Sequence, residues 1–204
     1  IINVYKEKGF TSHDVVAKLR GICKQKRIGH TGTLDPEAVG VLPVCLGSAT
    51  KLCDMLTDKN KEYVAVLRLG IVTDTQDLTG TVLEEYPVTA TKEQIRETIF
   101  SFQGDQLQVP PMYSALKVNG KKLYELAREG KEVDRAARPI TIHEIEILKE
   151  ELPEITIQVS CSKGTYIRTL CHDIGQALLC GAAMASLTRT RVGSFQIGQA
   201  YPLA

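Results

Sequence analysis

Residues 29 to 36, Gly29-His30-Thr31-Gly32-Thr33-Leu34-Asp35-Pro36, concentrate the chemistry of this sequence. Two glycines free the backbone, and Pro36 biases the residue before it away from the helical region, so Asp35 is expected on an extended, non-helical segment. A carboxylate presented in that way can act as a nucleophile or a base. Taken alone, the motif has a plainer alternative, a helix start with Asp35 as N-cap and Pro36 at the first helical position. It is not a phosphate-binding loop, because Gly29 and Gly32 lack the later glycine and the Lys-Ser/Thr pair of such loops.

Two further residues could work beside a carboxylate. Tyr63 lies near the start of an alternating strand, on one face with Ala65 and Leu67. A flat amphipathic ring there either fills core or stacks on a base. Ser162-Lys163-Gly164-Thr165-Tyr166-Ile167-Arg168 leads from a strand into a helix and puts Arg168 in the first turn. A cation at the positive end of a helix is misplaced by ~0.3 to 1 kcal/mol, so it calls for an anion, either a phosphate or a carboxylate such as Asp35. The alternative is a surface arginine with no role.

Other chemistries fail on inventory. There is no G-x-S-x-G or H-E-x-x-H, and the four histidines, His13, His30, His143 and His172, are scattered. None of the six cysteines forms a C-x-x-C pair, and several sit in apolar runs, which suits buried thiols in a reducing compartment. Cys171 beside His172 has no zinc-type spacing to Cys161 or Cys180, and no metal site is expected.

The elements that must position these residues are legible in outline. Tyr63, Ala65, Leu67 and Leu69 alternate as a half-buried strand, as do Ile155, Ile157, Val159 and Cys161. A strand from Ile140 to Leu148 changes phase between Ile142 and Ile145, which predicts a bulge near His143. Thr11 or Ser12 caps a helix carrying Val15, Val16, Leu19 and Ile22, and Thr165 caps one carrying Ile167, Leu170, Ile174 and Leu178. A third helix covers Lys92 to Phe102. Between Pro110 and Pro139, Lys117-Val118-Asn119-Gly120-Lys121 signals a two-residue hairpin, followed by a short basic helix ending at Gly130. With no repeat or flexible linker, one mixed helix-and-sheet domain is expected.

A formal net charge of +1 conceals an uneven distribution. Lys6 to Arg27 holds seven Lys or Arg against Glu7 and Asp14, whereas from Asp74 to Asp105 acids outnumber bases seven to two. Solvated faces would explain such clusters, and so would a polyanionic partner. No charged leader followed by an apolar stretch opens the sequence, and apolar runs fall far short of the ~20 residues that a bilayer span needs. A soluble cytoplasmic protein with no membrane contact is expected.

Taken together and in order, residues 29 to 36, the Lys61-Glu62-Tyr63 strand, Pro111-Met112-Tyr113-Ser114-Ala115-Leu116-Lys117 and Gly164-Thr165-Tyr166-Ile167-Arg168-Thr169-Leu170 resemble the TruB family of tRNA pseudouridine synthases. The resemblance spans nearly the whole chain. It implies an α+β pseudouridine synthase fold, a mixed, largely antiparallel sheet flanked by helices, with an inserted thumb at about residues 111 to 138. It implies that Asp35 is the catalytic aspartate and that Tyr63 stacks on the target base and is a candidate to remove the C5 proton. Arg168 then pairs with the aspartate, while His30, Tyr166 and Leu187 line the pocket. The basic segments, Lys26 and Arg27 in the first and Lys121 and Lys122 in the thumb, are the expected phosphate contacts. The implied substrate is uridine 55 in the T-arm loop of tRNA, flipped from its stack, with no cofactor. Attack at C6, attack at C1′ and a glycal route all remain open. The family's further C-terminal RNA-binding module is expected to be absent from residues 1 to 204, and the protein to be a monomer.

Two rivals have distinct signatures. A guide-dependent synthase of the dyskerin type shares the Gly-Thr-Leu-Asp-Pro and Thr-Tyr-Ile-Arg-Thr-Leu-Cys words but has a reduced thumb, so the full Tyr113 to Lys117 segment favours action on tRNA without a guide RNA. A non-catalytic RNA-binding module would have no need of Asp35, Tyr63 and Arg168 together.

Overall fold

Apolar alternation becomes strand and period-3.6 patterning becomes helix over most of this chain. A computed structural model describes all of residues 1 to 204. In chain order the first elements are β1 (Ile2–Lys6), α1 (Ser12–Cys23), β2 (Ile28–His30), β3 (Val39–Leu46), α2 (Cys53–Thr57), β4 (Lys61–Leu69), β5 (Ile71–Thr73), β6 (Val82–Glu85), α3 (Lys92–Ser101) and β7 (Gly104–Gln108). Then come β8 (Lys117–Val118), β9 (Lys121–Lys122), α4 (Leu123–Arg128), β10 (Arg138–Glu151), β11 (Glu154–Cys161), α5 (Ile167–Ala177), β12 (Ala182–Val192) and β13 (Phe195–Gln196).

The main strand order is β1-β3-β12-β4-β11-β10-β7, with β2 on β3 and β13 on β12. β3 pairs antiparallel with β1 and β2 and parallel with β12, and β10 pairs antiparallel with β7. The expected mixed, largely antiparallel sheet with helices is what forms. Packing divides the chain into two compact units, Ile1–Ala65 with Gln158–Lys163 and Ser186–Ala204, and Val66–Ile157 with Gly164–Ala185.

In the first unit, α1 starts at a capping box: Thr11 accepts from the Asp14 amide, and the Asp14 carboxylate accepts from the Thr11 amide. Reciprocal capping of this kind satisfies two amides that the helix leaves unpaired. Lys24, in the left-handed conformation, ends the helix. Val15, Val16 and Leu19 pack with Val4, Ile28, Leu42 and Val44, each fully buried aliphatic contributing roughly 1.5 to 3 kcal/mol. Ile22, expected on that face, is 59% exposed; it lies in the last turn of α1, one residue before the helix ends at Cys23.

In the second unit, Ile140, Ile142 and Ile145 of β10 are buried while His143 and Glu144 are exposed, so the phase changes where the sequence says it should. Pairing with β7 stops at Ile142 opposite Gly104, and the Ile145 amide instead donates to the side-chain oxygen of Gln103. β8 and β9 form the expected hairpin, with Asn119 at φ 50° and Gly120 at φ 82°, the left-handed pair that a two-residue turn demands. One expected cap is corrected. Thr165 does not cap α5; Tyr166 occupies the N-cap position without a side-chain cap. Its amide donates to Gln108 Oε1 at 2.8 Å, and Gln108 Nε2 donates back to the Tyr166 carbonyl at 3.0 Å. The start of α5 is thereby anchored to β7 through the backbone of Tyr166.

Candidate active site

Asp35 is half-buried and sits on an irregular segment, at the first position of a turn closed by the Ala38 amide donating to the Asp35 carbonyl at 3.0 Å. The helix-start alternative is thereby excluded. Neighbours throughout the first unit fix this loop. Thr31 donates through its amide and its Oγ1 to the Pro43 carbonyl, both at 3.1 Å. The hydroxyl of Ser12 accepts from the Leu34 amide at 3.0 Å and donates to the Leu34 carbonyl at 3.3 Å. Ser12 therefore does not cap α1 but ties the first turn of that helix to the residue preceding Asp35.

Two buried cations grip the loop on either side of the carboxylate. Lys6, fully buried at the end of β1, donates to the carbonyls of Glu7, Phe10 and Pro36. Arg189 of β12 donates from Nε to the Val41 carbonyl at 2.8 Å and from Nη2 to the Gly32 carbonyl at 3.2 Å. Burial lowers the Lys6 pKa to about 8, against the opposing pull of the Asp35 charge. Lys61, at the start of β4, is likewise pushed down to about 8 by burial, with the Arg189 charge adding to the effect, and its ammonium donates to the Thr57 carbonyl.

Tyr63 is 8% exposed on β4. Burial raises the pKa of its phenol; the Arg189 charge opposes that rise, while the Cys161 and Asp35 charges add to it. Tyr63, Arg189 and Asp35 therefore lie within electrostatic reach of one another. His30, at the end of β2, has its pKa lowered by burial and then by the Arg189 charge, and its Nδ1 is buried without a hydrogen-bond partner. Leu187, 9% exposed on β12, belongs to the same unit. Lys26 and Arg27 lie in the exposed turn between α1 and β2.

The remaining expected residues belong to the second unit. Arg168 is no surface arginine: it is 6% exposed and donates to the carbonyls of Thr75 at 3.3 Å and Tyr113 at 2.7 Å. Tyr166 is half-buried, held through its backbone by Gln108. In the hairpin Lys121 is exposed, while Lys122 and Arg128 lie over the Tyr124 ring at 5.4 and 5.1 Å. No three His, Cys, Asp or Glu side chains converge in a way that could hold a metal ion.

No motif singles out Arg189, yet a signal for it exists. Leu187 and Arg189 are two apart on one strand and share a face, so a buried Leu187 implies a buried Arg189.

The family model described as TruB family pseudouridylate synthase, N-terminal domain, matches residues 20 to 167. This chain belongs to the TruB family. A second family model, described as the tRNA pseudouridylate synthase B C-terminal domain, matches residues 168 to 204 of this TruB-family chain. Curated relatives include tRNA pseudouridine synthase B of Lachnoclostridium phytofermentans, 63% identical over 212 residues that span 100% of this chain and 69% of the relative. The protein of the same name from Clostridium acetobutylicum is 53% identical over 203 residues, spanning 100% of this chain and 70% of the relative. Among solved structures, a Cbf5-Nop10-Gar1 complex contains a chain superposing with a TM-score of 0.75 at 36% identity, covering 96% of this chain and 49% of that one. An H/ACA RNP bound to a substrate RNA containing 2′-deoxyuridine gives 0.74 at 32% identity, with 99% and 50% coverage. The TruB-family chain thus spans about half the length of these solved chains.

Proposed function

We propose that this TruB-family protein isomerises a uridine of tRNA to pseudouridine, at position 55 in the T-arm loop, acting as a monomer without a guide RNA or a cofactor. The Asp35 turn carries this reading: a half-buried carboxylate on a loop tied to α1, β1, β3 and β12, with a buried phenol within reach of its charge. The names of the curated relatives support the substrate.

The reaction breaks the N1–C1′ bond, turns the uracil and joins C5 to C1′; the C5 proton leaves and N1 gains one, so no electrons are exchanged with a carrier. Asp35 supplies covalent catalysis as the nucleophilic carboxylate. Arg168 is the third residue assigned a catalytic role, as the cation that complements that charge. The target uridine leaves its stack at a cost of a few kcal/mol, offset by stacking on Tyr63 and by contacts from His30, Tyr166 and Leu187. Lys26, Arg27, Lys121 and Lys122 hold phosphates. Because its pKa is raised, the resting Tyr63 hydroxyl is protonated, so it accepts the C5 proton only after passing its own onward. A tRNA substrate also implies a cytoplasmic site of action, and no helix is long and apolar enough to cross a membrane.

Incubation of unmodified tRNA with the protein alone tests the reading. Pseudouridine at position 55 is expected. Product that appears only when a guide RNA is added would favour a guide-dependent synthase, and RNA binding without product would favour a non-catalytic module.

A further inference from the structure

Gln108 ends β7 and pairs in register with Arg138, the first residue of β10, so the chain leaves and re-enters the sheet at these two positions with the β8–β9 hairpin and α4 between them. Arg135 closes the same neck, donating from Nε to the Pro110 carbonyl at 2.7 Å. Gln108 is only 2% exposed, and its side-chain amide directs both ends at one residue. Oε1 accepts from the Tyr166 amide at 2.8 Å, and Nε2 donates to the Tyr166 carbonyl at 3.0 Å. Tyr166 is the N-cap of α5, a position whose amide has no acceptor within the helix, while its carbonyl also accepts from the Leu170 amide at 3.0 Å. Two bonds to one backbone unit fix its position and its rotation together, as a paired strand does.

Arg168 follows two residues later, 6% exposed, with its guanidinium donating to the Thr75 carbonyl at 3.3 Å and the Tyr113 carbonyl at 2.7 Å. Those carbonyls hold the far end of the arginine; the Gln108 clamp holds the backbone from which it starts. We infer that Gln108 is a positioning residue that, through the Tyr166 backbone, pins the first turn of α5 to the neck of residues 109 to 137 and so sets where Arg168 stands in the reaction. The inference rests on the function proposed above. Methionine at this position keeps the length of the side chain, has no donor and is only a weak acceptor, so it cuts the clamp with little change of volume.

Single-turnover kinetics on tRNA with saturating protein read the rate constant of the folded complex, which partial unfolding of a variant does not lower. Gln108→Met is expected to lower that constant by about thirtyfold or more, with tRNA affinity unchanged within about threefold. In an Arg168→Lys background the same substitution should cost less than about threefold further, because the clamp acts through the arginine. A normal rate constant for Gln108→Met, or full additivity with Arg168→Lys, overturns the inference. Amide hydrogen exchange of the wild type without RNA needs no variant: the Tyr166 amide should exchange at least about a hundredfold more slowly than an unprotected one. Exchange at the unprotected rate overturns the clamp even if Gln108→Met fails to fold. A wild type with a protected Tyr166 amide that makes no pseudouridine would instead overturn the proposed function and, with it, the catalytic purpose of the clamp.

Discussion

The ammonium of Lys6 donates to the carbonyl of Pro36 at 3.2 Å, directly behind the residue that carries the candidate nucleophile. The Glu7 and Phe10 carbonyls share that ammonium, so the end of β1, the entry to α1 and the Asp35 turn meet at one buried charge. The contact gives Lys6 a mechanical role, holding the turn, besides its electrostatic one.

Lys6→Met removes a donor shared by three carbonyls; those of Pro36 and Glu7 still accept from the Gly9 and Phe10 amides, at 2.9 and 3.4 Å, so the Phe10 carbonyl bears most of the loss. A loss of about 1 to 3 kcal/mol is expected, the cost of one buried polar group left unsatisfied. Urea unfolding of wild type and variant measures it. An unchanged midpoint would mean that the turn holds itself without the lysine.

Lys6 and Lys61 also make stability depend on pH. Both are pushed from 10.5 down to about 8, chiefly by burial, so between about pH 8 and 10.5 the unfolded chain holds protons that the folded chain has shed. Their contribution therefore rises with pH across that window and is flat below it. The buried thiols of Cys45 and Cys171, raised to about 11 and about 12 by burial, act in the opposite sense over part of the same range. Subtraction isolates the lysine: the stability of wild type relative to Lys61→Met should climb between about pH 8 and pH 10. A flat or falling difference would contradict the assigned shift.

Much of this arrangement is legible in the residues. The Tyr63 to Leu69 alternation, the phase change in β10 and the Asn119-Gly120 turn depend on local rules, and the chain obeys them. What local rules miss is partnership over distance. Gln108 takes both backbone groups of Tyr166 from 58 residues away, a partnership that no local rule predicts. Ser12 likewise spans 22 residues to hold Leu34. The role of Arg189 is hard to read because a charged residue in a strand reads as a solvent-facing one, and only its shared phase with Leu187 marks it as buried. Asp35 was the reverse case, since its motif fits a helix cap locally and only the rest of the chain decides against that.

The hairpin of β8 and β9 gives an electrostatic prediction. Lys121 is exposed, and Lys122 projects over Tyr124 beside it. Lys121→Ala combined with Lys122→Ala should weaken tRNA binding and reduce the slope of log affinity against log salt by roughly 1 for each phosphate contact removed. Binding measured across a salt series checks this. An unchanged slope would take the hairpin out of the RNA interface.

The most direct measurement is nucleotide-resolution mapping of pseudouridine in an unmodified T-arm stem-loop after incubation with wild-type protein and with Asp35→Asn. Asparagine keeps the shape of the side chain and removes its charge and nucleophilicity. Wild type should place a single pseudouridine at the T-loop target, and Asp35→Asn should give none while binding the RNA within about tenfold of wild type, roughly 1.4 kcal/mol. Normal turnover by Asp35→Asn would contradict the assignment of this carboxylate as the nucleophile.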